Sequence, residues 1–359
     1  MEAKELLLKL AEASGISGYE HEPREILREE LKAYADEILV DPMGSLIAIK
    51  KGNRRRGEGG EPHRIMLAGH LDEIGLMVTK IEKGYLRFTQ VGGFDLRVLP
   101  GQEVVVHGTT PLPGVIGCWP PHLLTEEERE KVTPMDELFI DVGLDEKRAA
   151  ELVQVGDLAS INRQAVSLKE DIVAGKAFDD RASVVAIVEC FKHLATAMHA
   201  WDVYGVATVQ EETGYLGAIT SAFRLFPDLA IAIDVSHADM PGVPESETIL
   251  LGKGPGIALG ANIHPKIHER LVQTAKSLEI PFQIEPYPGA TGTDAWAIQV
   301  TREGIPTGLL DIPLRYMHTS VETLSVADVQ RAGRLLASFI AGLEDKKFLE
   351  FEHASSIAF

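Results

Sequence analysis

The order of apolar runs in this chain predicts an α/β protein: a mainly parallel central sheet flanked by helices, with a small β-barrel-like domain inserted into it. Three observations carry that prediction. Short, nearly continuous apolar runs such as Val203–Val209 and Leu229–Ile233 read as strands buried on both faces. Longer segments of helical period stand between them, and strand–helix alternation of this kind builds a parallel sheet. From about Glu73 to Leu168 the texture changes to short alternating runs broken by Gly and Pro, which is how a small barrel reads.

In chain order, the leucine-rich stretch Glu5–Ala13 and the segment Pro23–Ala35 are helical. Glu37–Val40 and Leu46–Ile49 form a strand pair, turned by Pro42 and Gly44. Arg64–Ala68 is a short apolar strand that belongs with the main sheet. The β-rich section supplies strands at Leu86–Gln90, Glu103–His107, Gly114–Gly117 and Leu138–Val142, with helical patterns only at Thr125–Lys131 and Asp145–Val153. Beyond Asp171 come a long apolar helix at Asp179–Ala197, the buried strand Val203–Val209, a helix at Gly217–Phe226 and the strand Leu229–Ile233. Helix Lys266–Leu278, an extended piece at Phe282–Glu285, a strand at Ile305–Leu310 and the amphipathic helix Val326–Leu343 close the chain. Residues 1–72 and 169–359 therefore read as one α/β domain, interrupted by a β-rich insertion at 73–168.

Composition narrows the function. The 359 residues carry a formal net charge of −19, and so acidic a chain repels phosphate backbones, which excludes nucleic acid as a partner. The basic stretch Lys51–Arg56 runs straight into Gly57-Glu58-Gly59-Gly60 and reads as a solvated loop. Two cysteines, Cys118 and Cys190, make no disulfide framework and fit a reducing cytoplasm; Cys190 falls on an apolar helix face and reads as core. The first residues lack the features of a secretory signal, and no apolar run reaches the ~18 residues of a membrane span.

Polar residues gather just past the apolar strands. Gly69-His70-Leu71-Asp72 follows one, Glu211-Glu212-Thr213-Gly214 a second, and Asp234 a third. Open α/β sheets form their sites outside the carboxyl ends of the strands, so His70, Glu211, Glu212 and Asp234 converge on one edge. Asp179-Asp180-Arg181, at the start of the long helix, and His318 join them. Imidazole with two or three carboxylates is a donor set for zinc, cobalt or manganese, and a shared carboxylate accommodates two ions. Taken singly, Asp180 and Arg181 read as a helix-start charge and an ion pair, and Glu211-Glu212 as a solvated strand end. His237, His264 and His268 read as surface or hydrogen-bonding residues, Arg315 as half of an ion pair, and Trp119 and Trp296 as packing residues. Asp294 is balanced between a pocket wall and a helix cap.

The motifs AGHLDEIGLMV, AFDDRASVVAIVE, QEETGYLGA, AIDVSHADMPG, GTDAWAIQ and PLRYMHTSVETLS together resemble the di-metal aminopeptidases of the glutamyl-aminopeptidase and cellulase-M family, which includes the tetrahedral TET peptidases. The likeness extends through GVIGCWPPHLLTEEEREKV inside the insertion. It implies that His70 and Asp234 hold one metal, Glu212 and His318 the other, and that Asp179 bridges them. It implies Glu211 as general base and Asp72 as the carboxylate that orients His70. It further implies two divalent ions per subunit, Zn2+ or Co2+, short peptides as substrates, and a dimerisation role for the insertion. Dimers would assemble into a dodecamer, in which His122 would reach a neighbouring subunit's site. The sequence departs from the family pattern at Thr319-Ser320 after His318, in the GATGTDAW loop and at Cys118-Trp119. Relatives with glucanase or deacylase names leave an N-acyl deacylase or an endoglucanase as alternatives; a non-catalytic peptide-binding assembly is a third.

Overall fold

The computed structural model describes residues 1–53 and 62–350, so Arg54–Arg56 of the basic stretch lie outside the described residues. Among the described residues, the larger of two sheets has eleven strands. Its centre is parallel: Asp202–Thr208, Arg64–His70, Leu229–His237 and Thr307–Arg315 lie side by side in that order. Antiparallel strands finish both edges. Leu46–Lys50 and Glu37–Val40 flank one side; Glu322–Ser325, Ile172–Gly175 and Val166–Ser167 flank the other. Gly256–Gly260 pairs antiparallel with Thr307–Arg315, and Gln283–Tyr287 pairs parallel with Gly256–Gly260. The parallel character expected from the sequence thus resides in four central strands of a mixed sheet and in the outlying pair Gly256–Gly260 and Gln283–Tyr287.

Those central strands are buried on both faces, and their alternate residues feed two cores. Ile65, Leu67, Ile231 and Ile233 pack under helices Ala3–Glu12, Phe178–Leu194 and Val326–Ala341. Met66, Ala68 and Ala230 pack under helices Leu216–Leu225 and Asp294–Gln299. Helix Phe178–Leu194 is apolar nearly all round because it lies between the sheet and Val326–Ala341. Gly333 permits that close crossing, since a Cβ there would stand 2.5 Å from Glu189 Cβ. Cys190 is fully buried in this core.

The second sheet is a closed six-stranded barrel, ordered Gly75–Glu82, Tyr85–Val91, Phe139–Asp141, Pro111–Gly117, Glu103–His107 and Leu158–Ile161. Closure removes the free edges that strands this short would otherwise expose. Leu76, Val78, Leu86, Val104 and Val106 fill its interior. The helix expected at Thr125–Lys131 shrinks to the single turn Glu126–Arg129, started by a Thr125–Glu128 capping box. Strand Gly75–Glu82 escaped the sequence reading because its second half is half-exposed and polar. Trp119 and Trp296, expected to pack, stand 58% and 43% exposed in the single chain.

Arg181 ties these parts together. It is fully buried and donates to the carbonyls of Leu10 (2.5 Å), Ala13 (2.6 Å) and Leu71 (3.1 Å). It also lies 3.4 Å from the buried Glu73 carboxylate, which pairs with Lys176 at 2.5 Å. Burial alone would raise the Glu73 carboxyl; the Lys176 and Arg181 cations outweigh it and hold it below its usual value. Removing one member leaves uncompensated buried charge. Arg181→Met is therefore expected to cost about 3–5 kcal/mol of stability, read from the urea midpoint. An unchanged midpoint would contradict this role.

Candidate metal centre

The site forms where the central strands end. His70 is the last residue of Arg64–His70 and lies level with Thr208 on the neighbouring strand. Asp234 comes from Leu229–His237, one strand further over. The strand Asp202–Thr208 stops two residues before Gln210, which adopts the left-handed conformation (φ +57°). The chain thus leaves the strand before Glu211, and both Glu211 and Glu212 face one site. Asp72 pins that turn: its carboxylate accepts from the amides of Glu211 (3.0 Å) and Glu212 (3.2 Å) and from Ser17 Oγ (2.6 Å).

Asp179 sits at the start of Phe178–Leu194, where Asp179 and Asp180 depart from helical dihedrals. Its Oδ1 lies 3.1 Å from His70 Nε2, and its Oδ2 lies 3.2 Å from His318 Nε2. His318 Nε2 is also 3.5 Å from Glu212 Oε1, and His70 Nε2 is 3.9 Å from Glu211 Oε2. On its other side, His70 Nδ1 faces Asp72, with 3.5 Å to Oδ1 and 3.2 Å to the carbonyl. Among the described residues, three groups bring ligand atoms within 4.8 Å of one another: His70/Asp179/Asp234, Asp179/Glu212/His318 and His70/Glu211/Glu212. All seven residues picked from the sequence therefore meet at one sheet edge, and the first two groups share Asp179.

Two further carboxylates complete the surroundings: Glu322, which sequence reasoning did not single out, and Asp180, which it placed at this edge as a helix-start charge. Glu322, almost fully buried, accepts the Asp179 amide at 3.0 Å and the His318 amide at 2.9 Å, one on each oxygen. Asp180 accepts the His70 amide (3.1 Å) and the Ser183 hydroxyl. Asp294 proves to be a buried helix-start residue bonded to Thr208 Oγ1 at 2.5 Å. Arg315 forms the expected ion pair, with Asp239 at 3.0 Å. His268 Nδ1–H donates to the Ala258 carbonyl, His237 lines the cavity and His122 is exposed on the barrel.

The electrostatics suit cations. Burial, reinforced by Asp234, pushes the Glu211 carboxyl up to about 10. Burial and Asp179 push Glu212 up to about 7. Burial also drives Asp234 well above the usual carboxylate range. His318 rises to about 9 through its bond to Asp179. Burial works to raise Asp179, yet the two imidazoles outweigh it and hold it low. No lysine or arginine lines this cavity of about 960 Å³ among the described residues. Four clustered acids against two imidazoles leave negative charge that divalent ions neutralise, so the donor set fits metal.

The same shifts predict how stability depends on pH without metal. Glu212 and His318 both bind protons more tightly folded than unfolded, so their contribution is lost as pH rises. The window runs from the ordinary Glu value of 4.5 to about 9. Chelator-treated protein should therefore lose thermal stability across that range, and zinc should flatten the loss. A metal-independent profile would contradict the assignment of this cluster to cations.

Comparison with known proteins agrees with this geometry. The family model for M42 glutamyl aminopeptidase matches residues 44–335. The lysyl aminopeptidase of Pyrococcus furiosus is 37% identical over 96% of this chain and 98% of its own. The crystal structure of a TET aminopeptidase from a marine sediment thaumarchaeon superposes with a TM-score of 0.89 at 37% identity, covering 97% of this chain and 98% of that one. The Pyrococcus horikoshii TET1 peptidase, described as assembling into a tetrahedron or a large octahedral shell, gives 0.83 at 35% identity over 95% and 100%. A match across most of the chain by a family model, together with relatives this similar over their full lengths, makes the protein a member of the M42 glutamyl aminopeptidase family.

Proposed function

We propose that this aminopeptidase removes N-terminal residues from short peptides with two divalent cations, zinc or cobalt, and Glu211 as general base. His70 and Asp234 would hold one ion, Glu212 and His318 the other, and Asp179 would serve both. The observation that carries this is Asp179 presenting one oxygen to His70 and the other to His318. When bound, the cations polarise the scissile carbonyl and acidify the attacking water. Glu211 takes the proton from that water, holds it on a carboxyl oxygen, and passes it to the leaving amine. Asp72 keeps the His70 ring oriented through Nδ1 and fixes the backbone that carries Glu211 and Glu212. The acidic wall receives the free α-amine of the peptide, which confines cleavage to the first residue.

The glucanase alternative fits less well, because glycosidases of the usual kind place two carboxylates across a sugar without metal. A vestigial, non-catalytic site would lack a member of the set, whereas all seven side chains stand together. The TET relatives' assemblies support a homo-oligomer here, with the barrel inserted in residues 73–168 as the dimerisation domain and a dodecamer as the larger particle. No helix among the described residues is long and apolar enough to cross a membrane, and we place the particle in the cytoplasm.

The experiment compares a short peptide with its N-acetylated form, before and after chelation and after return of zinc or cobalt. Stepwise release of free N-terminal residues, lost on chelation and restored by metal, is the expected result. Cleavage of the acetylated form alone would establish the deacylase alternative instead.

A further inference from the structure

We propose that Glu322 is a positioning residue on which the cation of Glu212 and His318 depends: it fixes the backbone amides of Asp179 and His318, and without it the centre binds one ion tightly and the other weakly. This rests on the two-cation scheme proposed above. Glu322 is 2% exposed and opens the edge strand Glu322–Ser325, where it pairs with Gly175. His318 lies four residues before it, and Asp179 lies four residues beyond that register partner. The strand thus sets one carboxylate between two segments that each supply a ligand. Its Oε1 accepts the His318 amide at 2.9 Å and its Oε2 the Asp179 amide at 3.0 Å. Glu322 belongs to none of the three ligand groups among the described residues, so it acts through those amides.

The two halves of the centre are held differently. His70 ends a buried strand, and its Nδ1 faces Asp72, the usual arrangement for an imidazole that binds metal. His318 has neither support. It stands on a turn at φ +60°, a conformation that a residue other than glycine keeps only where its surroundings impose it. Its side chain is 35% exposed. Its Nδ1 faces Gly93 of the insertion, where a Cβ would stand 3.4 Å away, and meets no protein hydrogen-bond partner among the described residues. What places this imidazole is its backbone, and the bond that fixes that backbone goes to Glu322. The same carboxylate steadies Asp179, which reaches His318 Nε2 through Oδ2. A glutamine cannot replace it: with one oxygen, its NH2 group would confront one of the two amide N–H donors. The ion of His70 and Asp234 depends on it less, because both of those ligands stand on central strands.

The test follows zinc uptake by chelator-treated protein at buffered free zinc, resolving the two binding steps. Glu322→Gln should weaken the second step about 10–100-fold, the usual cost of losing a partner behind a metal ligand, and move the first by less than about threefold. Glu322→Asp keeps both acceptors on a shorter stem and should weaken the second step by less. A general loss of structure weakens both steps alike, so an equal shift in the two overturns the inference, as does an unchanged second step in both variants. Either result leaves the two-cation scheme standing. Wild-type protein that takes up a single zinc ion overturns that scheme and the inference with it.

Discussion

Glu211→Gln is expected to retain both cations and lose hydrolysis by about 10²–10⁴-fold in kcat, the usual contribution of a general base. The two side chains have the same shape, and the loop carrying residue 211 is held by its backbone amide on Asp72 at 3.0 Å, a bond the substitution leaves in place. The metal content and KM should therefore stay near wild type, while the proton acceptor is gone. Steady-state kinetics with metal analysis of the same preparation separates the two effects. Loss of metal in step with activity would show that Glu211 is a ligand, as its membership in the His70/Glu211/Glu212 group permits. Full activity would place the base elsewhere.

Asp179→Ala should have the second large effect, abolishing binding of both ions. No other residue appears in both groups that would hold them on the proposed scheme. Its removal takes from both imidazoles the carboxylate they share, so neither half retains its donor set. The ions bound per chain should fall from two toward none, whereas Glu212→Ala should lose only the ion shared with His318. Equilibrium dialysis with metal analysis reads this directly. Equal stoichiometry in the two variants would contradict a shared Asp179.

Much of this site was legible in the sequence because sheet physics fixes where strand ends point. His70, Glu211 and Asp234 each follow an apolar run, and parallel neighbours deliver such residues to one edge. Glu322 was not legible as a site residue because it acts through backbone amides. Glu322 reaches the Asp179 amide across more than a hundred residues of chain, and nothing local marks such a contact. Nor does an apolar run announce the direction of its neighbour, which is why the antiparallel edge of Glu322–Ser325, Ile172–Gly175 and Val166–Ser167 emerged only from the fold.

The central claim is that two cations flank Asp179, and anomalous diffraction from crystals of the zinc-loaded protein tests it most directly. Two anomalous peaks about 3.5–4 Å apart, one beside His70 and Asp234 and one beside Glu212 and His318, are the expected result. Zinc bound away from Asp179, or a single ion held by His70, Glu211 and Glu212, would contradict it.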